Sequence, residues 1–449
     1  MSALGVAEAL RRAAGYPHAV LSWVGTDGYP VAVAGAVRAE PDAGRLEIGP
    51  VVLPVPLPEG GEVCVTCSHI RPRPGEGYDE RRYVTCWGRV EGPAAGAADP
   101  EVARPVTVQV RRAAGWDEAE TPFFEYAERN VAQARAEFER RGQRPRLPLG
   151  WTIFLAARLP FLTATAVPVG LGGAVAAHDG RFHWGWFLVA LVAGLAVHVG
   201  LNVANDLFDD RNGADAANTT PTPFSGGSRV LQYGLVTRSQ MLALAAGAYT
   251  VAVGLGLWLA WARSPWLLAV GASGILLSFV YSMPPFQLVH RGLGEPVTAL
   301  GFGPVMVAGS YLACAGRWSW EAVYASLPVA ILVALVLFVN EVPDRHADAR
   351  VGKRTLVVRW PARRVIAAYD VAVATAFLLV LVGPLLGITP PATWLALAGV
   401  PFAGPVRRGL RRHYDEPYAL MGAMQTNIAL HLVTGSLLAA GYVLATALG

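Results

Sequence analysis

Nine apolar stretches follow one another between residues 149 and 449, most of them near the ~20 residues that a helix needs to cross a bilayer. They span approximately residues 151–176, 184–204, 240–261, 265–283, 296–315, 320–340, 365–386, 393–404 and 425–448, the eighth being the shortest. No globular core needs so many such runs. The sequence therefore predicts an all-α polytopic membrane bundle of nine transmembrane helices over 149–449. Trp151, Trp184, Trp186, Trp258, Trp261, Trp266, Trp318 and Trp320 fall near the predicted ends, where an interfacial aromatic belt belongs. Charged residues make up only 16% of the chain, and they gather between the runs.

Alternating the nine runs across a membrane puts Arg211, Arg229, Arg238, Arg291, Arg345, Arg350, Lys353, Arg354, Arg359, Arg407, Arg408, Arg411 and Arg412 on one side. Arg181, Arg263 and Arg317 are left on the other. By the positive-inside rule the first side is cytoplasmic and the C-terminus lies outside. Residues 1–3 lack a basic segment leading into an apolar one, so the first domain is expected to stay in the cytoplasm. The expected location is the cell (inner) membrane. A net charge of +4 reflects loop topology and implies no nucleic-acid partner.

Two acidic clusters end apolar runs on that cytoplasmic side. The first reads Asn202-Val203-Ala204-Asn205-Asp206-Leu207-Phe208-Asp209-Asp210, continuing to Asp215. The second reads Asn340-Glu341-Val342-Pro343-Asp344-Arg345-His346-Ala347-Asp348. On a helix Asp206 and Asp209 are i,i+3 neighbours, and Asp344 and Asp348 are i,i+4, so each pair shares a face. Carboxylates that close repel one another unless cations neutralise them. An oxygen-only donor set suits Mg²⁺, which completes its shell with water and substrate phosphate. Two such clusters abutting apolar spans point to a diphosphate carried on a lipid; the plainer alternative is solvated helix-end charge.

Arg158, inside the first run and followed by Pro160, is either an anion contact or a paired structural charge. Gly226-Gly227-Ser228-Arg229, Tyr281-Ser282-Met283-Pro284-Pro285, Arg291-Gly292-Leu293-Gly294-Glu295 and Gly352-Lys353-Arg354-Thr355-Leu356 share the cytoplasmic side. Arg229, Arg291, Lys353 and Arg354 are candidates to neutralise a departing diphosphate. Asn202 and Asn205 position ligands or cap the helix end.

Residues 1–148 read as a separate soluble domain. An amphipathic helix is expected over 2–14, then short strands near 18–24, 30–38, 45–48, 62–69, 82–91 and 106–112, and a closing helix over 122–140. The turn 25–28 and a basic linker, 141–146, punctuate it. Frequent short strands predict a small β-barrel or sandwich. Cys64 and Cys67, three apart on a strand, face opposite sides of the sheet, and no second pair completes a zinc site. With Cys86 and Cys314 they read as structural thiols.

His18-Ala19-Val20-Leu21-Ser22-Trp23, Thr26-Asp27-Gly28-Tyr29-Pro30, Gly115-Trp116-Asp117-Glu118 and Pro122-Phe123-Phe124-Glu125-Tyr126 resemble the pyridoxamine 5′-phosphate oxidase-like split-barrel proteins. That resemblance implies a flavin held between two protomers, and so a homodimer through this domain. Where many members carry a basic segment for the flavin phosphate, this chain has the apolar, proline-rich stretch 49–58. Whether a flavin is kept stays open, and no flavin contacts are named.

Asn205-Asp206-x2-Asp209-x3-Gly213-x-Asp215 and Asp344-x3-Asp348 resemble the two aspartate motifs of the UbiA superfamily of intramembrane prenyltransferases. Tyr281-x2-Pro284-Pro285, Arg291-Gly292-Leu293-Gly294-Glu295 and the Gly352-Lys353-Arg354-Thr355-Leu356 ending are most similar to its 1,4-dihydroxy-2-naphthoate polyprenyltransferases. The resemblance implies Mg²⁺ on Asp206, Asp209, Asp344 and Asp348, with Lys353 aiding departure of the diphosphate. It implies a polyprenyl diphosphate and an aromatic acceptor as substrates, met by Asn202, Asn205, Arg158, Arg229, Tyr281, Arg291 and Arg354. Glu341 stands where that branch commonly has asparagine. A membrane-anchored flavin-dependent quinone reductase and a transporter are the competing readings.

Overall fold

A computed structural model describes residues 2–25, 27–57, 61–73, 77–91, 102–145 and 148–448. Met1, Thr26 of the expected turn, Pro58 of the proline-rich stretch and Arg146 of the basic linker lie outside the described residues. The chain divides into two compact units, Met1–Gln133 and Ala134–Gly449.

The first unit is built on one antiparallel sheet: β1 (Ser2–Leu4), β2 (His18–Val24), β3 (Pro30–Glu40), β4 (Arg45–Val51), β5 (Glu62–Arg73), β6 (Gly77–Val90) and β7 (Arg104–Asp117). The order is β1-β7-β4-β3-β2-β5-β6, and β6 also pairs with β7, so six strands close on one another. The expected helix over 2–14 is shorter, because residues 2–4 pair with β7 (Ser2 opposite Gly115) and only Val6–Ala13 forms α1. β2 alternates inward and outward, sending Ala19, Leu21 and Trp23 into the core with Leu10, Leu46, Ile48, Val65 and Val108. The proline-rich stretch joins that core through Leu53 and Leu57, and Trp23 Nε1 donates to the Pro56 carbonyl at 3.2 Å. Cys64, Cys67, Cys86 and Cys314 are all free thiols.

α2 (Phe123–Arg140) crosses from the first unit into the second. The helical unit continues with α3 (Leu149–Ala156), α4 (Thr163–His178), α5 (Trp184–Asn212), α6 (Arg238–Ala262) and α7 (Trp266–Ser282). Then come α8 (Gly294–Ala315), α9 (Trp320–Arg350), α10 (Ala362–Leu385), α11 (Ala403–Arg412) and α12 (Met421–Leu448). Among the described residues, α5, α6, α8, α9, α10 and α12 are long and apolar enough to cross a membrane, and α7 is a shorter apolar helix.

Among the described residues, six of the nine expected spans are long helices, and the other three are shorter or interrupted. The 151–176 run is not one helix: Arg158 adopts a left-handed conformation (φ 52°), separating α3 from a 3₁₀ turn, Leu159–Leu162, that leads into α4. Residues 391–402 form a 3₁₀ helix, preceded by Pro390 and containing Pro391 and Pro401, instead of an α-helical span. Proline lacks the amide hydrogen that an α-helical ladder needs. α9 is the most enclosed of the long helices, with Val329, Val333, Val339 and Val342 packed in the interior.

Candidate active site

The last three turns of α5 present Asn202, Asn205, Asp206 and Asp209, and the helix stops at Gly213 in a left-handed conformation (φ 83°). A short turn, Ala214–Ala217, then brings Asp215 back toward the helix end. α9 presents Asn340, Glu341, Asp344 and Asp348 on its final turns. Both aspartate pairs keep the helical spacing expected from the sequence.

The two clusters meet. Lys353 Nζ stands 3.5 Å from Asp209 Oδ2 and 3.5 Å from Asp348 Oδ1, bridging α5 and α9. It gets there because the chain curls back after α9, with the Lys353 N–H donating to the Asp348 carbonyl at 2.9 Å. Burial disfavours the ammonium, but Asp209 and Asp348 outweigh that and hold it charged well above the usual lysine range. The loop after α5 makes a second bridge. Gly226 N–H donates to Asp344 Oδ2 at 2.9 Å, Asn218 Nδ2 to Asp344 Oδ1 at 2.8 Å, and Ser228 N–H to Asp206 Oδ2 at 3.1 Å. Gly226 (φ 77°) and Gly227 (φ 74°) allow this path, and a Cβ on Gly227 would stand 2.6 Å from Asp215 Oδ2.

Arg158 Nη2 lies 3.4 Å from Asp206 Oδ1, and Asn202 Nδ2 donates to the Ala157 carbonyl at 3.1 Å, tying α5 to the break that aims Arg158. Asn205 Nδ2 donates to Asp209 Oδ2 at 3.1 Å. Arg158, Asn202, Asn205 and Asp209 line one cavity of about 170 Å³ together with Tyr281, and Asp206 stands outside the lining. Arg229 donates to the Asp215 carbonyl at the cavity's edge. Arg291 and Arg354 are exposed and stand outside the lining, with Arg291 Nη2 on the Pro285 carbonyl. Asp210 also faces away, accepting from Gln232 Nε2 and Arg238 Nε.

Among the described residues, five carboxylates line the cavity (Asp209, Asp215, Glu341, Asp344 and Asp348) against two permanent cations, Arg158 and Lys353. Burial, together with Asp206 and Asp209, pushes the Asp215 carboxyl up to about 8, a sign of that surplus. Among the described residues no hydrogen bond reaches the buried Asp215 Oδ2, Asp348 Oδ2 or Asp206 Oδ1, the last standing 3.4 Å from Arg158 Nη2. Among the described residues no three His, Cys, Asp or Glu side chains form a closed metal cage. Magnesium does not ask for one, since it is bound by one or two carboxylates, water and substrate phosphate. Unpartnered carboxylate oxygens at both clusters fit such an ion.

A second cavity, of about 150 Å³, adjoins the first, and His198, Leu201, Tyr281, Thr298 and Phe302 line both. Its wall is almost wholly apolar, and Gly194, Gly256, Gly271, Gly274, Gly301 and Gly309 leave the space between α5, α6, α7 and α8. A charged head and a greasy tail can thus be held in adjoining spaces.

Residues 166–447 match the UbiA prenyltransferase family. The chain belongs to that family. Like its relatives, this UbiA protein is a prenyltransferase. It is 29% identical to the 2-carboxy-1,4-naphthoquinone phytyltransferase of Synechocystis sp., over 65% of this chain and 92% of the relative. It is 34% identical to the 1,4-dihydroxy-2-naphthoate octaprenyltransferase of Mycobacterium tuberculosis, over 56% of this chain and 85% of the relative. A solved UbiA homolog from Archaeoglobus fulgidus bound to GPP and Mg²⁺ aligns with a TM-score of 0.46 at 13% identity, covering 64% of this chain and 99% of that one. Asn218 and the Gly226 and Ser228 amides, which the sequence did not single out, also hold the aspartates, and Asn340, read only as part of the second acidic cluster, lines the cavity. Only the paired glycines at 226–227 hinted at the amides.

Proposed function

We propose that this UbiA prenyltransferase moves a polyprenyl group from polyprenyl diphosphate to an aromatic acceptor, 1,4-dihydroxy-2-naphthoate. The observation that carries the reading is the bridging of both acidic clusters by Lys353 over one cavity that opens into an apolar one. The acceptor is drawn from the names of the naphthoate-modifying relatives.

Asp206 and Asp209 would hold one magnesium ion, and Asp344 and Asp348 a second. Bound magnesium supplies charge neutralisation and Lewis-acid polarisation of the diphosphate. The Gly226, Asn218 and Ser228 donors fix the carboxylates in place, so little reorganisation accompanies binding. Lys353 and Arg158 face the diphosphate oxygens as negative charge develops on them, with Arg229 at the edge. The C–O bond breaks with its electron pair leaving on diphosphate. The ring carbon that bears the carboxylate then gives a pair to the allylic carbon, and its bond to the carboxylate breaks with the pair returning to the ring, so that carbon dioxide leaves and aromaticity is restored. The apolar wall keeps water from the cation, and Tyr281 stands where the two cavities join.

The site belongs at the cytoplasmic face of the cell membrane, by the arginine and lysine asymmetry of the loops. Residues 149–449 form the catalytic domain, with the shorter apolar segments completing nine crossings. Residues 1–148 form a split barrel, a reading that the closed ring of six strands supports. The test is to incubate membranes with Mg²⁺, labelled polyprenyl diphosphate and a panel of aromatic acceptors. Labelled prenyl-naphthoquinol product is expected, and Asp206→Ala and Asp344→Ala should each abolish it while folded protein remains. Diphosphate release that no aromatic compound stimulates would refute the assignment.

A further inference from the structure

Besides Asp215, two buried carboxyl groups at the site have no part in the diphosphate chemistry. Glu341, 6% exposed, lines the cavity from α9, and Glu295, 9% exposed, sits in the first turn of α8 just behind it. Among the described residues, the opposing carboxyl and the Thr355 hydroxyl come close to their four oxygens, neither at good hydrogen-bond geometry, and Asn340 Oδ1, one residue earlier on the cavity wall, has no hydrogen-bond partner. The two carboxyls lie within reach of each other, with Thr355, Lys353, Asp348 and Tyr281 nearby. A buried acceptor without a donor is destabilising, and two facing carboxyls add repulsion. Such an arrangement suits a donor that arrives with a ligand.

The two co-substrates differ in what they can donate. An ionised diphosphate offers only acceptor oxygens and its isoprenoid tail offers no polar group, whereas a hydroxylated ring carries O–H donors. Glu341 lies three residues before Asp344, about 4.5 Å deeper along the helix axis. That depth is on the side of Tyr281, where the polar and apolar cavities join and the allylic carbon would lie. The geometry points to Glu341, backed by Glu295, as the subsite that accepts a hydrogen bond from a ring hydroxyl of the acceptor and orients the ring toward the allylic carbon. This inference rests on the prenyl-transfer reading above. Glu295 is a positioning residue: it does not line the cavity and acts through Glu341.

The test uses the purified full chain with Mg²⁺, geranylgeranyl diphosphate and 1,4-dihydroxy-2-naphthoate. Glu341→Leu removes both acceptors at similar volume and should raise the KM for the naphthoate about tenfold to a hundredfold. The KM for the diphosphate and the Mg²⁺ requirement should stay within about twofold. Glu341→Gln, which keeps one acceptor, should recover part of the loss, and Glu295→Gln should give a smaller rise of the same kind. An unchanged naphthoate KM in Glu341→Leu, or an equal shift in diphosphate KM or Mg²⁺ requirement, overturns the subsite. The wild-type protein gives an answer that no folding defect can blur. A mono-O-methyl ether of the naphthoate should compete at least about tenfold less well than the free hydroxyl compound, and equal competition overturns the subsite. Wild-type protein that prenylates no aromatic ring at all defeats the underlying reaction, whereas an active wild type with an unaltered Glu341→Leu defeats the subsite alone.

Discussion

The Gly226 amide donates to Asp344 Oδ2 at 2.9 Å, so a carboxylate of the second acidic cluster is held by the loop that follows the first. That bond needs backbone in a left-handed conformation (φ 77°), and a Cβ there would stand 2.6 Å from Asn218 Nδ2, the other donor to Asp344. Gly226→Ala should therefore displace both donors at once. A shift of about 1 Å in a positioned catalytic group costs on the order of a hundredfold in rate. The expected result is a comparable fall in kcat/KM for the diphosphate, measured with labelled donor, while the circular dichroism of the purified protein is unchanged.

Lys353 and magnesium serve the same carboxylates, and that overlap predicts a linkage. Removing one partner of a buried ion pair is destabilising by roughly 3–5 kcal/mol, because the remaining charge is left uncompensated. In Lys353→Met that role falls to the metal. Added Mg²⁺ should then raise the thermal midpoint of the variant by more than it raises that of the wild type. Activity should fall about a hundredfold or more, since the charge aimed at the leaving group is gone. Chelation of divalent ions should abolish turnover in both proteins. Equal Mg²⁺-induced shifts in the two would show that the ion binds elsewhere.

How much of the site could be read beforehand follows from what each part depends on. Asp206 with Asp209, and Asp344 with Asp348, were legible because helical periodicity alone puts them on a face. Their meeting across Lys353 was an inference from motif order, since no local rule says that the ends of α5 and α9 converge. Asn218 and the Gly226 and Ser228 amides depend on how a loop closes, and backbone donors leave little trace in side-chain chemistry. Arg291 and Arg354 share the neighbourhood by sequence, yet the direction of a long side chain at a loop is set by local turns, and both end exposed. In the fold, hydropathy located the apolar runs, but it is blind to the left-handed Arg158 and to the prolines that turn two of them into broken or 3₁₀ segments.

The thiols of the first unit allow a test that does not depend on catalysis. Cys67 and Cys86 point into the sheet core, and burial pushes their thiols up to about 11 and about 12. A raised value means that the neutral thiol persists as pH rises until that value is approached, so at pH 8 roughly one Cys67 in a thousand is the reactive thiolate. Iodoacetamide at pH 8 should leave both unmodified in folded protein and alkylate both after denaturation. Mass spectrometry of the digested protein checks this, and rapid labelling of Cys86 before unfolding would contradict the closed packing of β5 against β6.

The apolar cavity makes the last prediction, on donor length. Gly271, exposed, lines it, and among the described residues no atom lies within 4 Å of a Cβ placed there, so a side chain can start at the cavity wall without moving the backbone. Gly309 lines the same cavity but would press its Cβ to 2.9 Å from Val270, making it the poorer choice. Gly271→Leu should thus occupy room that a tail needs without harming the fold, although a glycine-to-leucine change on a helix is itself mildly stabilising. A methylene lost from an apolar contact is worth about 0.8 kcal/mol, so blocking two or three of them costs roughly tenfold or more in binding. The KM for geranylgeranyl diphosphate should rise by that amount while geranyl diphosphate, whose tail ends nearer Tyr281, is little affected. A parallel rise for both donors would place the tail somewhere other than between α5, α6, α7 and α8.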